Sequence, residues 1–425
     1  MTERYTLIMQ ILFLLLLIVF SLTGILIHKK VLNLLTIFNL VWICIILLYG
    51  FQMSIYLTPF SNRTVIYFIL VFSSFFLGYI YIFLFYLPKY KKGYLSAVPK
   101  RAIFLSKNFI ENSFFVIFII LIVETIFSGG IPLIWLLTGS DKNYFDFGIP
   151  TLHGLLMSFI LFYGTLLYFI LNQNFRKKYL FYFLFICLIP ILLISRQIAI
   201  TLVVQILIIH HLSIKRINFI KGGSIALICI VLFGIAGNIR TGLDNFLNVA
   251  KMSNQNISYF ESGFYWVYMY LTMSLANVNN LFTNISFDYT FGKNILSSFL
   301  PTIVTDVIYN AELSAPYFLV SPNFTVSSFM VTTFIDFGIV GLTIYTFLLG
   351  LISCIVYHNY IFNKSIRNMF VYATMLQILL MSFFVDFLLY LPVSFQFFWY
   401  YLFLRDNKTL NQKVLYNNFI NIKKG

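Results

Sequence analysis

Two arginines at the ends of apolar runs are the residues of this chain best suited to chemistry. Arg196 separates the apolar residues 189–195 from 197–204, and Arg240 closes another apolar run just before Thr241-Gly242. A guanidinium stays charged at any ordinary pH, and holding it unpaired against lipid is costly. Its planar fork also binds phosphate oxygens in pairs. If both arginines lie on one side of a membrane, they predict an anion clamp suited to a diphosphate.

A structural role for the two arginines is the alternative interpretation. Each could anchor its helix by extending its charged end to the membrane surface, or pair with a buried carboxylate such as Glu124 or Asp336. Asp336 is followed by Gly338 and Gly341, which permit close helix packing. Structural and catalytic roles therefore both stay open for Asp336.

A general base would have to come from a carboxylate on the same side. Glu261 opens an aromatic run, where partial burial would raise its pKa and suit it to deprotonate a hydroxyl group. The alternative is a solvated acid at a helix start. The other candidates on that side are Asp244, Asp288, Asp306 and Glu312.

Aromatic and amide side chains follow Glu261 and are candidates for substrate binding. Tyr265, Trp266 and Tyr268 are predicted to stack on sugar rings, although Tyr and Trp also gather at membrane interfaces without any ligand. Asn277 and, in another connection, Arg63 complete the predicted substrate-binding set.

Several motifs are missing from the sequence. There is no Gly-rich phosphate loop, no Gly-x-Gly-x-x-Gly and no Asp-x-Asp pair, and residues 240–328 contain neither His nor Cys. The sequence therefore predicts chemistry without a nucleotide, a metal or another cofactor.

The composition is that of an integral membrane protein. Hydrophobic residues make up 60% and charged residues 10% of the 425 residues, and the mean hydropathy is +0.92. The net charge of +15 is assigned to cytoplasmic connections rather than to nucleic-acid binding. All four cysteines fall in apolar runs and are predicted to be packing residues.

Apolar periodicity predicts an all-α bundle with about eleven transmembrane helices. The predicted spans are 7–28, 31–51, 64–87, 109–128, 151–171, 179–195, 197–211, 223–239, 329–357, 369–387 and 390–404. With the basic connection at 89–107 placed inside, alternation puts 21 of the 28 Lys and Arg in the cytoplasm. Arg63, Arg196 and Arg240 fall on the outer side.

The longest outer connection, residues 240–328, lies within a single transmembrane domain covering residues 1–425. It is too aromatic and apolar to be disordered, which favours a functional segment. We expect interfacial helices that lie over the bundle.

This organisation resembles the bacterial oligosaccharide repeat-unit polymerases, the Wzy-type O-antigen polymerases. The likeness covers the architecture of the whole chain, whereas the local motifs are short. They are Ser195-Arg196, Gly237-Asn238-Ile239-Arg240, and Asn323-Phe324-Thr325 leading to Phe334-Ile335-Asp336-Phe337-Gly338-Ile339-Val340-Gly341. Ile194 stands where that family usually has a small residue before the Ser-Arg pair.

The resemblance implies a GT-C-like fold in the bacterial inner membrane, with its active face in the periplasm. It implies transfer of a growing glycan between oligosaccharide units carried on undecaprenyl diphosphate, with membrane lipids and a chain-length regulator protein as further partners. Arg196 and Arg240 would then stabilise the leaving diphosphate, and Glu261 or Asp244 would be the base.

Three other classes fit the composition. A lipid-linked oligosaccharide flippase should show two similar halves and short outer loops. An O-antigen ligase shares the donor chemistry, but such ligases usually carry a histidine in the large outer loop. A transporter or channel should show matching interrupted helices in two halves.

Overall fold

The computed structural model describes residues 2–85, 107–142, 144–213, 242–254, 257–259, 261–283, 289–300, 304, 318–363 and 365–404. Within these ranges the regular structure is helical, apart from one isolated β-bridge between Ser54 and Met252, and it includes one short 3-10 helix at Tyr144–Asp146 besides the α-helices. The helices are α1 (Thr2–His28), α2 (Leu34–Tyr49), α3 (Asn62–Phe85), α4 (Lys107–Ser128), α5 (Pro132–Thr138), α6 (Leu152–Gln173), α7 (Lys177–Leu192), α8 (Arg196–Ser213), α9 (Leu243–Ala250), α10 (Glu261–Thr283), α11 (Lys293–Ser297), α12 (Met330–Phe362), α13 (Ile366–Leu380), α14 (Leu391–Ser394) and α15 (Gln396–Phe403).

Six helical segments in the described residues are long and apolar enough to cross a membrane. They lie in α1, α3, α4 with α5, α6, α8 and α12, while α2 and α13 are apolar but shorter. The class of an all-helical, multi-pass membrane protein follows from these segments. The predicted span 223–239 lies outside the described residues, and a total of eleven spans stays a prediction.

The first three helices alternate in direction. Phe13 and Phe20 of α1 contact Phe68 and Phe76 of α3 in the same order along both helices, so α1 and α3 run in parallel. Helix α2 returns between them, since its last residue Tyr49 stacks on Phe60 just before α3. The direction of these helices relative to the two sides of a membrane stays a prediction.

Helices α3 and α12 cross with their backbones in close contact. A Cβ atom at Gly78 would lie 2.1 Å from the carbonyl oxygen of Phe347, and one at Gly350 would lie 2.1 Å from that of Phe75. Small residues that let two backbones touch are the usual means of packing helices in lipid. The two glycines therefore fix where α3 and α12 cross.

Basic residues collect at one end of the bundle, which we call the basic end. Lys178 at the start of α7 lies 2.9 Å from Glu111 of α4, and His28 contacts Tyr79 and His358 near the ends of α3 and α12. Lys29, Lys30, Lys107 and Lys177 share this end by their positions at the adjoining helix termini. We call the opposite end, where α3 and α8 begin, the far end.

Helix α10 connects the far end to the core. Asn279 accepts hydrogen bonds from the Ser61 N–H (3.2 Å) and the Thr64 hydroxyl (2.7 Å), which dock α10 onto the start of α3. Its residues Met273 and Asn277 are fully buried. Much of α10 therefore packs into the bundle, beyond the interfacial position expected for helices of the 240–328 stretch.

Candidate functional site

Arg196 follows a tight turn between α7 and α8 at the far end. The Ser195 N–H donates to the Pro190 carbonyl (2.8 Å), and Ile194 adopts a φ of +55° to close the turn. This left-handed conformation is rare for a β-branched residue and strains the backbone. The turn places Arg196 as the first residue of α8, next to the positive end of the helix dipole.

The Arg196 side chain is exposed and has no polar partner among the described residues. Across the part of the chain that the structure describes, its guanidinium forms no ion pair or side-chain hydrogen bond. This bears on the alternative that the arginine binds helices together, because both acids proposed as its partners, Glu124 and Asp336, have other contacts.

Glu124 pairs with histidine instead. Its carboxylate is fully buried and lies 2.9 Å from Nδ1 of His153, at the start of α6. This contact joins α4 to α6 at the far end. Glu124 therefore does not pair with Arg196 in the structure.

Asp336 is enclosed by hydrogen-bond donors from the 289–300 segment. One carboxylate oxygen accepts from the Thr290 hydroxyl, from the Asn294 side chain (2.7 Å) and from the Asn294 N–H (3.1 Å), and the other accepts from the Ile295 N–H (2.8 Å). The residue is fully buried. The expected arginine partner is wrong for the described residues, because backbone and neutral side-chain donors take that place.

The backbone of α12 also binds the 289–300 segment, at a break in the helix. Gly338 has φ +64° and ψ −159°, a conformation open essentially to glycine alone. Just before it, the carbonyl groups of Ile335 and Asp336 accept hydrogen bonds from the N–H groups of Thr290 and Phe291. Helix α12 thus gives up internal hydrogen bonds at the break and holds the 289–300 segment with its backbone as well as with Asp336.

Two residues that were predicted to bind substrate form hydrogen bonds with the backbone of other segments instead. The amide nitrogen of the fully buried Asn277 donates to the carbonyl oxygens of Phe324 (2.9 Å) and Val326 (2.8 Å), while its oxygen accepts from the Val320 N–H (2.9 Å). The hydroxyl of Tyr268 accepts from the Met53 N–H (3.2 Å). Asn277 thus has no free polar atom to offer a substrate in this conformation.

The aromatic residues near them have different environments. Trp266 is buried and stacks on Phe246 at 4.3 Å, in agreement with a packing role. Tyr265 is part-exposed, so its ring remains a candidate for stacking on a sugar.

Glu261 does not have the environment expected of a base. Its carboxylate accepts from both the N–H (2.8 Å) and the hydroxyl (2.7 Å) of Ser258, and the Ser258 hydroxyl accepts from the Glu261 N–H, which is the pattern of a capping box at the start of α10. These hydrogen bonds lower the pKa of the exposed carboxyl group, so the predicted increase is wrong. Asp244 is exposed in the first turn of α9 and has no such contact with a described residue.

Arg240 lies outside the described residues, as do Asp288, Asp306 and Glu312. Arg63 lies in the first turn of α3 at the far end, where its exposed side chain donates from Nε to the Tyr67 hydroxyl (3.0 Å). The far end therefore brings Arg63 and Arg196 to one side of the bundle.

Sequence reasoning missed the residues that surround Asp336. Thr290 and Asn294 lie more than 40 residues before it, and their short stretch carries only the weak signal of polar residues beside Gly292. In the described residues, no group of three or more His, Cys, Asp and Glu is placed to hold a metal ion.

The strained turn offers a direct test of the Arg196 geometry. Replacement of Ile194 by glycine should raise the free energy of unfolding by up to about 1 kcal/mol, because glycine adopts a positive φ without strain. Chemical unfolding in detergent would measure it, with Ile200→Gly, in the middle of α8, as a control that should lose stability. A lower stability of Ile194→Gly would contradict the strained turn.

Comparisons of the chain with models of protein families, with curated proteins and with solved structures find no match. The fold and the far end therefore define the class, a multi-pass helical membrane protein with an exposed arginine at a helix start.

Proposed function

We propose that the protein is a membrane glycosyltransferase that joins lipid-linked oligosaccharide repeat units into a polysaccharide, with the diphosphate of the lipid carrier as the leaving group. The observation that carries this proposal is the exposed Arg196 at the start of α8, with Glu124 and Asp336 both engaged elsewhere. A charge kept at this position without a described partner favours an anionic ligand over helix packing.

The reaction requires little more than positioned charges. The oxygen of an acceptor hydroxyl attacks the anomeric carbon of the donor sugar, the bond from that carbon to the diphosphate oxygen breaks, and the hydroxyl proton passes to a carboxylate. Arg196 and the positive end of α8 would stabilise the charge that develops on the diphosphate. Arg63 and Arg240 are the further cations of this proposal.

Asp244 is the better candidate for the base. The exposed Asp244 has no hydrogen bond from a described residue, whereas the Ser258 donors that lower the pKa of Glu261 make Glu261 a weaker proton acceptor. Tyr265 is the part-exposed aromatic residue of this proposal that would contact a sugar ring. Asp336 and Asn277 would act by holding the far-end segments in place.

Replacement of Arg196 tests the proposal. In cells that lack the native gene, Arg196→Ala should abolish long polymer on a glycan gel while protein level and thermal stability stay normal, because a helix-start cation is lost from the leaving-group site. Arg196→Lys should restore part of the polymer, since it keeps the charge but not the fork. A normal ladder in Arg196→Ala would contradict the proposed role.

Arg176 provides the matched control. It is an exposed arginine that precedes α7 at the basic end and contacts the ring of Tyr179. Arg176→Ala removes the same charge from the opposite end of the bundle, so the ladder should be unaffected. Equal loss of polymer in both variants would indicate a general effect on the membrane protein.

The gel also separates the related functions. Loss of the ladder with single repeat units retained on the cell surface indicates a polymerase. Complete loss of surface glycan on deletion of the gene indicates a flippase or a ligase instead.

A further inference from the structure

Helix α8 turns a row of polar residues toward the bundle and large apolar residues toward the surroundings. Gln197, Thr201 and Gln205 repeat every four residues and lie on one face, with Thr201 and Gln205 exposed by no more than 1%. The opposite side shows large apolar groups, with Ile200 40%, Val203 51% and Leu207 37% exposed. In a membrane helix, polar groups turned inward mark contacts with other polar groups or with a hydrated cavity.

The partner across this face is α13. Nε2 of Gln205 donates to Oε1 of the fully buried Gln377 at 3.3 Å, and Nε2 of Gln377 reaches only the sulfur of Met381 at 3.7 Å. A sulfur atom is a weak acceptor. We call Gln197, Thr201, Gln205 and Gln377 the polar seam.

The seam contains more hydrogen-bonding capacity than it uses. Nε2 of Gln197, Oγ1 of Thr201 and Oε1 of Gln205 are each buried, and none has a hydrogen-bond partner among the described residues. An unmet buried donor or acceptor costs about 1–3 kcal/mol. Three such atoms along one helix face would be a heavy cost for a seam that stayed dry.

The neighbouring polar group shows what a satisfied contact in this core looks like. Thr374 of α13 shares a 2.9 Å hydrogen bond with the Tyr400 hydroxyl, which in turn donates to Gln396 at 2.8 Å. All three residues are buried and all three are paired. Other buried atoms of the described residues, such as Oγ of Ser274 and Oγ1 of Thr333, also lack a partner. The polar seam differs from the Thr374 group because it has three free atoms along one helix face.

The position of the seam connects it with the far end. Gln197 follows Arg196 directly and is part-exposed, while Gln205 lies about 12 Å further along the helix axis. The free atoms combine an amide donor, a hydroxyl and an amide acceptor, all uncharged. Such a set suits hydroxyl groups, which both donate and accept, better than ions.

We propose that the polar seam is a hydrated binding site, open at the Arg196 end of α8, that takes hydroxyl groups. The hydroxyl groups come from water or from a carbohydrate ligand in the membrane. This inference does not depend on glycosyl transfer, because a site of this chemistry would serve a transporter equally.

Cysteine labelling tests the hydration. In a variant without the four native cysteines, Thr201→Cys should react with 2-aminoethyl methanethiosulfonate at least about tenfold faster than Ser353→Cys, because the reagent attacks thiolates and these form in water. Ser353 is an equally buried control, and its hydroxyl donates to the Leu349 carbonyl at 2.7 Å. Equal, slow reaction of the two cysteines in synthetic phospholipid vesicles would overturn the proposal.

Labelling in two kinds of membrane identifies the source of the hydroxyl group, and either result supports the proposal. Fast reaction in both synthetic vesicles and native membranes indicates water alone. Fast reaction in synthetic vesicles with slow reaction in native membranes indicates a membrane ligand that occupies the seam.

An isosteric variant gives an independent measurement in the chain with its own cysteines. Thr201→Val should lower the Tm in detergent by about 2 °C, because it removes a hydrogen bond to a bound hydroxyl group. A dry seam predicts the opposite sign, since valine would relieve an unpaired polar atom. A higher Tm for Thr201→Val would therefore also overturn the proposal.

Discussion

Replacement of Asp336 by alanine should lower the free energy of unfolding by about 3–5 kcal/mol. The change leaves the N–H groups of Asn294 and Ile295 and the Thr290 hydroxyl without their acceptor in a region where Asp336 is fully buried. Hydrogen bonds to a charged acceptor are stronger than neutral ones, and a buried donor left unpaired costs its full desolvation. Thermal and chemical unfolding in detergent would measure the loss.

Local proteolysis should report the same change. Because Asp336 and the carbonyl groups before Gly338 hold residues 289–300, cleavage in that segment should speed up in Asp336→Ala before global unfolding. Asp244→Ala is the matched control, because it removes an exposed carboxylate from α9 and should leave stability nearly unchanged.

Asp336→Asn separates structure from catalysis. The asparagine keeps the shape and one acceptor oxygen, so it should be less destabilising than alanine. It should still cost some stability, because its amide NH2 group cannot accept hydrogen bonds from the donors that it faces. If Asp336→Asn unfolds like the wild type but loses all polymer, Asp336 takes part in the chemistry and the structural assignment is wrong.

Replacement of Gly78 by alanine should lower the free energy of unfolding by about 3 kcal/mol. A Cβ atom at this position meets the backbone of Phe347 at 2.1 Å, and a backbone cannot move aside like a flexible side chain. The two helices must separate, which breaks contacts along the whole α3–α12 crossing. Gly350→Ala should cost about as much, because its Cβ meets the backbone of Phe75 at the same distance.

The double variant provides the sharper test. Once one alanine has moved α3 and α12 apart, the second finds space already made, so the combined loss should be clearly smaller than the sum of the two. Gly139→Ala is a control for loss of a glycine outside the crossing, where a Cβ would meet no atom within 4 Å but the φ of +68° still disfavours alanine. Additive losses at Gly78 and Gly350 would contradict the shared crossing.

Local features of the far end were only partly predictable. That Glu261 lies at a helix start follows from the sequence, since Ser258 stands three residues before it, and the same capping interaction explains why its pKa falls instead of rising. The glycines near Asp336 suggest close helix packing, but the structure has a helix break at Gly338 instead. The partners of Glu124 and Asp336 lie 29 and more than 40 residues away, and nothing in the local pattern selects them.

The sequence by itself determined that this is a helical membrane protein and where most of its helices lie. The length of an apolar run is a local property, and in lipid a helix must satisfy its own backbone hydrogen bonds within that run. Only the tertiary structure decided which polar residues have partners: both carboxylate oxygens of Asp336 and one of Glu124 are engaged, whereas Arg196 and the inner face of α8 keep polar groups without a described partner. Partner choice depends on which helices meet in space, and residues far apart in the chain settle it together.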